Sequence, residues 1–125
     1  MATKHALIVD DSATMRNMIK AVVTEMGFEV ITAQDGEKAF RSAQSQSFDI
    51  IITDINMPNM DGIELIRLLR ETDSMKYTPI LVITTEGGES VKQSGKAAGA
   101  SGWIVKPFNP DTLKRAVGKL CGIAE

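Results

Sequence analysis

Apolar and polar positions alternate along the chain in a repeating order, a short apolar run followed by a longer stretch of helical period. Leu7-Ile8-Val9, Ile50-Ile51-Ile52-Thr53, Ile80-Leu81-Val82-Ile83 and Trp103-Ile104-Val105 are short, rich in branched residues and nearly free of charge, as strands buried on both faces of a parallel sheet are. With a further strand over 29–33, the pattern predicts strands at about 5–9, 29–33, 49–53, 80–83 and 102–105. Helices are predicted between and after them. Met15, Met18, Ile19, Val22, Val23 and Met26 recur at three- and four-residue spacing and set a first helix at 13–26, closed by Gly27. Asp35 is placed to cap a second helix that reaches Ser45. Pro58 and the surrounding Asn, Asp and Gly residues break any period after Asp54, so a loop precedes a third helix at 62–71. A fourth helix at 89–98 is the weakest by propensity, since the interior Gly95 costs about 1 kcal/mol relative to alanine. The last helix is expected to be capped by Asp111 and to reach Leu120.

Five strands alternating with five helices fit an α/β fold of the flavodoxin-like, doubly wound kind, a five-stranded parallel sheet in the order 2-1-3-4-5, as one domain over residues 1–125. Right-handed crossovers then put all strand ends on one edge. At that edge the apolar runs stop at Asp10 and Asp11, at Asp54, at Thr84 and at Lys106. In this strand order the crevice opens between strands one and three, which brings the three carboxylates together. Two like charges about 4 Å apart cost roughly 4 kcal/mol at an effective dielectric near 20, so the cluster calls for a cation. A hard divalent ion such as magnesium, which takes oxygen ligands, suits it, with Asp10, Asp11 and Asp54 as candidate ligands. A carboxylate beside such an ion can attack phosphorus, and Asp54, at the centre of the edge, is best placed to do so. Lys106 offers a point charge and Thr84 a hydroxyl to phosphoryl oxygens. Taken singly, each residue has a plainer role, the Asp10-Asp11 pair as a helix cap and the others as turn residues or solvated charges. Four successive strand ends make that coincidence hard to sustain.

Composition narrows the field. The 125 residues are 43% hydrophobic, enough for one core, and carry 14 basic against 16 acidic side chains, which argues against a nucleic-acid binder that works by neutralising phosphates. The single cysteine, Cys121, excludes an internal disulfide framework. No apolar run approaches the roughly 18 residues that span a bilayer, and Asp10 and Asp11 interrupt any signal-peptide core. The expectation is a soluble, cytoplasmic monomer without nucleic-acid or membrane partners. A flavin-type cofactor binder would need a glycine- and hydroxyl-rich cradle after strand one, where the aspartates stand instead. An aspartate-nucleophile phosphatase would place its nucleophile after strand one rather than strand three.

Leu7-Ile8-Val9-Asp10-Asp11-Ser12, Asp54-Ile55-Asn56-Met57-Pro58-Asn59-Met60-Asp61-Gly62, Thr84 and Gly99-Ala100-Ser101-Gly102-Trp103-Ile104-Val105-Lys106-Pro107-Phe108 resemble the receiver domains of two-component response regulators, in particular the single-domain chemotaxis regulators. The likeness runs from about Lys4 to Leu120. It implies that Asp54 accepts a phosphoryl group from a histidine kinase, with magnesium held by Asp10 or Asp11, by Asp54 and by the backbone carbonyl of Asn56. It implies that Thr84 and Trp103 form a switch pair, that the Lys106-Pro107 peptide is cis, and that the protein is a phosphoacceptor that phosphorylates and dephosphorylates itself rather than a turnover enzyme. Asn56 and Glu86 are expected to tune the lifetime of the phosphorylated form. Trp103 stands where tyrosine or phenylalanine is more common, and Thr85 follows the switch threonine where a smaller residue is frequent. Lys92, Lys96, Trp103, Lys114 and Arg115 are candidates for the output face of the fourth helix, fifth strand and fifth helix. With no effector domain, the output is expected to be binding to a protein, of which a flagellar motor switch component is one. The alternative is a phosphorelay or phosphate-sink receiver that exchanges phosphate with a histidine phosphotransfer protein.

Overall fold

The chain resolves into β1 (Lys4–Val9), β2 (Phe28–Ala33), β3 (Ile50–Thr53), β4 (Ile80–Thr84) and β5 (Gly102–Val105), alternating with α1 (Ala13–Glu25), α2 (Gly36–Ser45), α3 (Gly62–Glu71), α4 (Glu89–Ala98) and α5 (Pro110–Cys121). This is a computed structural model, and it describes residues 3–123. The strands pair in parallel in the order β2-β1-β3-β4-β5, the expected flavodoxin-like order that the alternating pattern fits.

Side-chain parity along each strand divides the core into two layers. Leu7, Val9, Ile51, Ile80 and Val82 pack on one face with Ala39, Leu65, Ile66 and Leu69 of α2 and α3. Ala6, Ile8, Ile50, Ile52, Leu81 and Ile83 pack on the other with Ile19 and Val23 of α1 and Leu113 and Val117 of α5. Because β1, β3 and β4 are covered on both sides, their apolar runs are unbroken. Burying each such Leu, Ile or Val contributes about 1.5–3 kcal/mol, and this makes the sheet a rigid frame for what projects from its edge.

Local signals account for most helix ends. The Ser12 hydroxyl accepts the Met15 N–H at 3.2 Å and starts α1, Asp35 accepts the Lys38 N–H at 2.9 Å and starts α2, and Gly27 follows the end of α1 with φ +97°. One expected cap moves. Asn109, not Asp111, caps α5, its side-chain oxygen accepting the Thr112 N–H at 2.8 Å. Pro110 occupies the first helical turn, where a missing N–H costs nothing, so the helix begins at Pro110 rather than after Asp111. The pattern also missed a single 3-10 turn at Asp73–Met75, whose Met75 is fully buried.

Candidate functional site

The carboxyl edge of the sheet gathers the expected residues. Asp10 is held by its backbone: its N–H donates to the Ala33 carbonyl at 3.2 Å, and its carbonyl accepts from Arg16 Nη1 at 2.7 Å. Its Oδ1 accepts the Ser12 N–H at 2.9 Å. Since Ser12 caps α1, neither aspartate is used as the cap, and both carboxylates remain for the edge. They differ in setting, Asp10 being buried and Asp11 exposed.

Asp54 leaves β3 with its N–H bonded to the Val9 carbonyl at 3.0 Å, which locks it beside Asp10. Its Oδ1 accepts the Ile55 N–H. Its Oδ2 accepts from Lys106 Nζ at 2.8 Å, and the same ammonium reaches Asp10 Oδ2 at 2.9 Å. Burial works to lower the Lys106 pKa, but the hydrogen bonds and charges of Asp54 and Asp10 outweigh it and hold the pKa above its ordinary value. Lys106 is therefore a cation across the physiological range. The Lys106-Pro107 peptide is cis, as the resemblance implied.

Asp10, Asp11 and Asp54 each present a carboxylate oxygen, and these lie within 4.8 Å of one another. An all-oxygen donor set of three carboxylates fits a hard divalent ion of the magnesium class rather than zinc or copper. Asn56 stands two residues beyond Asp54, and its side-chain amide donates to Glu86 Oε1 at 3.1 Å. That contact joins the two residues expected to tune lifetime.

Thr84, the last residue of β4, is fully buried, and its hydroxyl accepts the Glu86 N–H at 3.3 Å. The carbonyl of Glu86 in turn accepts from Trp103 Nε1 at 3.0 Å. Glu86 thus connects Asn56, Thr84 and Trp103 through its carboxylate, N–H and carbonyl. The indole rests on Gly95 of α4, where an added Cβ would collide with the ring edge. The weak helix former is thus explained, because α4 gives up propensity at Gly95 to admit the ring. Beside it, Glu89, Lys92, Gln93, Lys96, Ser101 and Trp103 line a recess of about 380 Å³. Lys114 is turned elsewhere, pairing with Glu25 of α1 at 2.8 Å.

Three contributors escaped the sequence reading. Arg16 braces the turn after β1. Asn59 donates through Nδ2 to Asp35 Oδ2 at 3.0 Å and ties two loops together. Arg70, at the end of α3, reaches the carbonyls of Gly99 at 2.8 Å, Met75 at 2.9 Å and Thr78, and burial lowers its pKa. Backbone carbonyls carry no residue identity, so nothing in the sequence announces such partners.

Comparison with known proteins bears on the family and the fold. Residues 6–118 match the response regulator receiver domain. The chain is 39% identical over 115 residues to the chemotaxis protein CheY of Pseudomonas aeruginosa, covering 91% of this chain and 93% of that protein. It is 39% identical over 118 residues to CheY1 of Helicobacter pylori, covering 93% and 95%. Among solved structures, chemotaxis protein CheY4 of Vibrio cholerae superposes with a TM-score of 0.91 at 46% identity over 95% of this chain and 99% of that one. The receiver domain of a sensor histidine kinase from P. aeruginosa, solved with magnesium coordinated in its active-site cleft, superposes with a TM-score of 0.89 at 28% identity over 97% and 99%.

Proposed function

The chain belongs to the response regulator receiver domain family, and from that premise we propose that it is a regulator phosphorylated on Asp54 by a histidine kinase in a magnesium-dependent step. Its output is phosphorylation-dependent binding to a partner protein in chemotaxis. The observation that carries this reading is the position of Asp54, bonded on one side to Lys106 and within carboxylate reach of Asp10 and Asp11. The likeness to chemotaxis proteins supports the pathway, and a cytoplasmic location follows from such a role.

Asp10, Asp11 and Asp54, with the carbonyl of Asn56, would hold the ion. Bound there, magnesium supplies positive charge to the phosphoryl oxygens. An oxygen of Asp54 forms a bond to phosphorus as the phosphorus–nitrogen bond of the donor phosphohistidine breaks, and the imidazole leaves with the bonding electrons. Lys106 Nζ is poised to donate to a phosphoryl oxygen. The phosphoryl group adds roughly one negative charge and strong acceptor oxygens. Thr84 moves to donate its O–H to one of them, and that movement draws its oxygen away from the Glu86 N–H it accepts. Release of that N–H frees the loop whose carbonyl holds Trp103, so the change is passed to the recess between α4 and β5. Lys92, Lys96 and the indole make that recess suited to an acidic, partly apolar segment, such as a flagellar motor switch component would present. Each tenfold gain in partner affinity requires a bias of only about 1.4 kcal/mol. Asn56 and Glu86 flank the approach of hydrolytic water and tune the lifetime of the phosphoryl group, which is lost by self-dephosphorylation rather than turnover.

The test is Trp103 fluorescence during titration with magnesium and then acetyl phosphate or beryllium fluoride, on wild type and Asp54→Asn. A magnesium-dependent change lost in Asp54→Asn, with the matching phosphoprotein mass shift, is expected. No mass shift in wild type would remove the phosphoacceptor reading. The likeness to a receiver domain of a histidine kinase gives a second reading, a phosphorelay or phosphate-sink receiver. Rapid transfer from phosphorylated chain to a histidine phosphotransfer protein, without a binding partner for the phosphorylated form, would favour it.

A further inference from the structure

Residues 55–61 leave β3 and re-enter at α3, with the Gly62 N–H returning to the Ile55 carbonyl and the Met60 N–H to the Pro58 carbonyl, both at 2.8 Å. At the apex Asn59 adopts φ +69°, a left-handed conformation that asparagine tolerates better than most side-chain-bearing residues. Its amide does not serve its own loop. Nδ2 donates to Asp35 Oδ2 at 3.0 Å across 24 positions of chain, while Asp35 Oδ1 accepts the Lys38 N–H at 2.9 Å and caps α2. One residue on, the Gly36 N–H donates to the Met60 carbonyl at 3.3 Å, and a Cβ at Gly36 would come within 2.5 Å of that oxygen. The β2–α2 junction is therefore seated directly against the loop, with the Asp35 carboxylate buried between them at 4% exposure.

We propose that Asp35 is a positioning residue for the acidic cluster: through Asn59 it holds the 55–61 loop in the shape that sets the affinity of the cluster for a divalent cation. The proposal rests on the reading of that cluster as a magnesium site. The physical argument is one of pre-organisation. A loop that is already held in place loses less entropy on ordering when it serves an ion, and the partners behind metal ligands commonly govern affinity as strongly as some of the ligands do. Asp35 suits the task because each of its two oxygens is fixed by a different element, α2 on one side and the loop on the other.

Four variants separate positioning from mere stability. Asn59→Gly keeps the left-handed backbone and removes the amide. Asp35→Ser keeps a helix cap and is too short to reach Asn59. Asp35→Asn can retain both contacts, since the Asn59 amide can turn its oxygen toward the new donor. The Asp35→Ser, Asn59→Gly double variant tests whether the two act as a unit. Magnesium affinity is measured by calorimetry, and hydrogen exchange of the Gly36, Met60 and Gly62 amides is measured on metal-free protein. We expect Asn59→Gly and Asp35→Ser each to weaken magnesium binding roughly three- to tenfold, with faster exchange at those amides. The double variant should be no weaker than the worse single, and Asp35→Asn should stay within about twofold of wild type. Affinities within twofold of wild type in Asn59→Gly and Asp35→Ser, with wild type binding magnesium, would overturn the proposal. A wild type that binds no magnesium would instead remove the reading of the cluster on which it rests.

Discussion

Lys106 and Asp35 each satisfy two partners, and each shows how a single side chain can govern a site. Lys106 spans Asp10 and Asp54 and offsets repulsion that would otherwise cost roughly 4 kcal/mol for a close carboxylate pair. Asp35 has a consequence for acid stability. The Lys38 N–H chiefly holds its carboxyl below the ordinary value of 3.8; burial opposes this, and the Asn59 amide adds to it. A carboxyl whose folded pKa is depressed contributes stability that is present above the unfolded pKa and lost as pH falls through the folded one. Urea midpoints measured from about pH 5 down to pH 2 should therefore fall more steeply in wild type than in Asp35→Asn below about pH 4. Parallel acid limbs in the two proteins would show that Asp35 does not contribute. Asp35 was legible in the sequence as a cap, but its second partner was not, because the contact to Asn59 depends on how two loops meet.

Among the elements, α4 and β5 form the most constrained pair. The ring of Trp103 lies on Gly95, and its Nε1–H bonds to the Glu86 carbonyl, so helix, strand and the loop after β4 share one contact. Gly95→Ala should gain up to about 1 kcal/mol of helix propensity but lose about 1–3 kcal/mol to overpacking. The expected net result is a destabilisation of about 1 kcal/mol, with shifted Trp103 emission and a weaker fluorescence response to beryllium fluoride. An unshifted spectrum would mean that the ring does not depend on this seat. The helix was predicted from sequence despite Gly95, yet the reason for the glycine appears only when β5 is laid beside α4. The cap of α5 shows the opposite limitation: Asn109 and Asp111 are both good caps, and only the backbone at Pro110 selects the first.

For the whole molecule, parallel pairing in the order β2-β1-β3-β4-β5 brings residues from distant parts of the chain to one edge, where Lys106 meets Asp10 across 96 positions. If the cluster binds magnesium in the folded state and not in the unfolded one, saturation adds stability by mass action. At a concentration one hundred times the dissociation constant, the gain should be about 2.7 kcal/mol. Urea unfolding with magnesium and with a chelator measures it, and the gain should shrink in Asp10→Asn. Equal stability in both buffers would count against a site confined to the folded chain.

The strands, the helices, the shared edge of strand ends and the set Asp10, Asp11, Asp54, Thr84 and Lys106 were legible in the chain alone, because hydrophobic period, turn chemistry and crossover handedness are local or nearly so. The order of the strands was legible only as one that a doubly wound pattern fits, and the packed sheet decides it. Tertiary structure alone decided that Asp10 is buried while Asp11 faces solvent, that Glu86 joins Asn56, Thr84 and Trp103, and that Asp35 reaches Asn59. It also decided that Arg70 ties the end of α3 to the turns before β4 and β5. Those contacts run between side chains and distant backbone or loop atoms, whose identity the sequence does not encode until the packed sheet and helices bring them within hydrogen-bond distance.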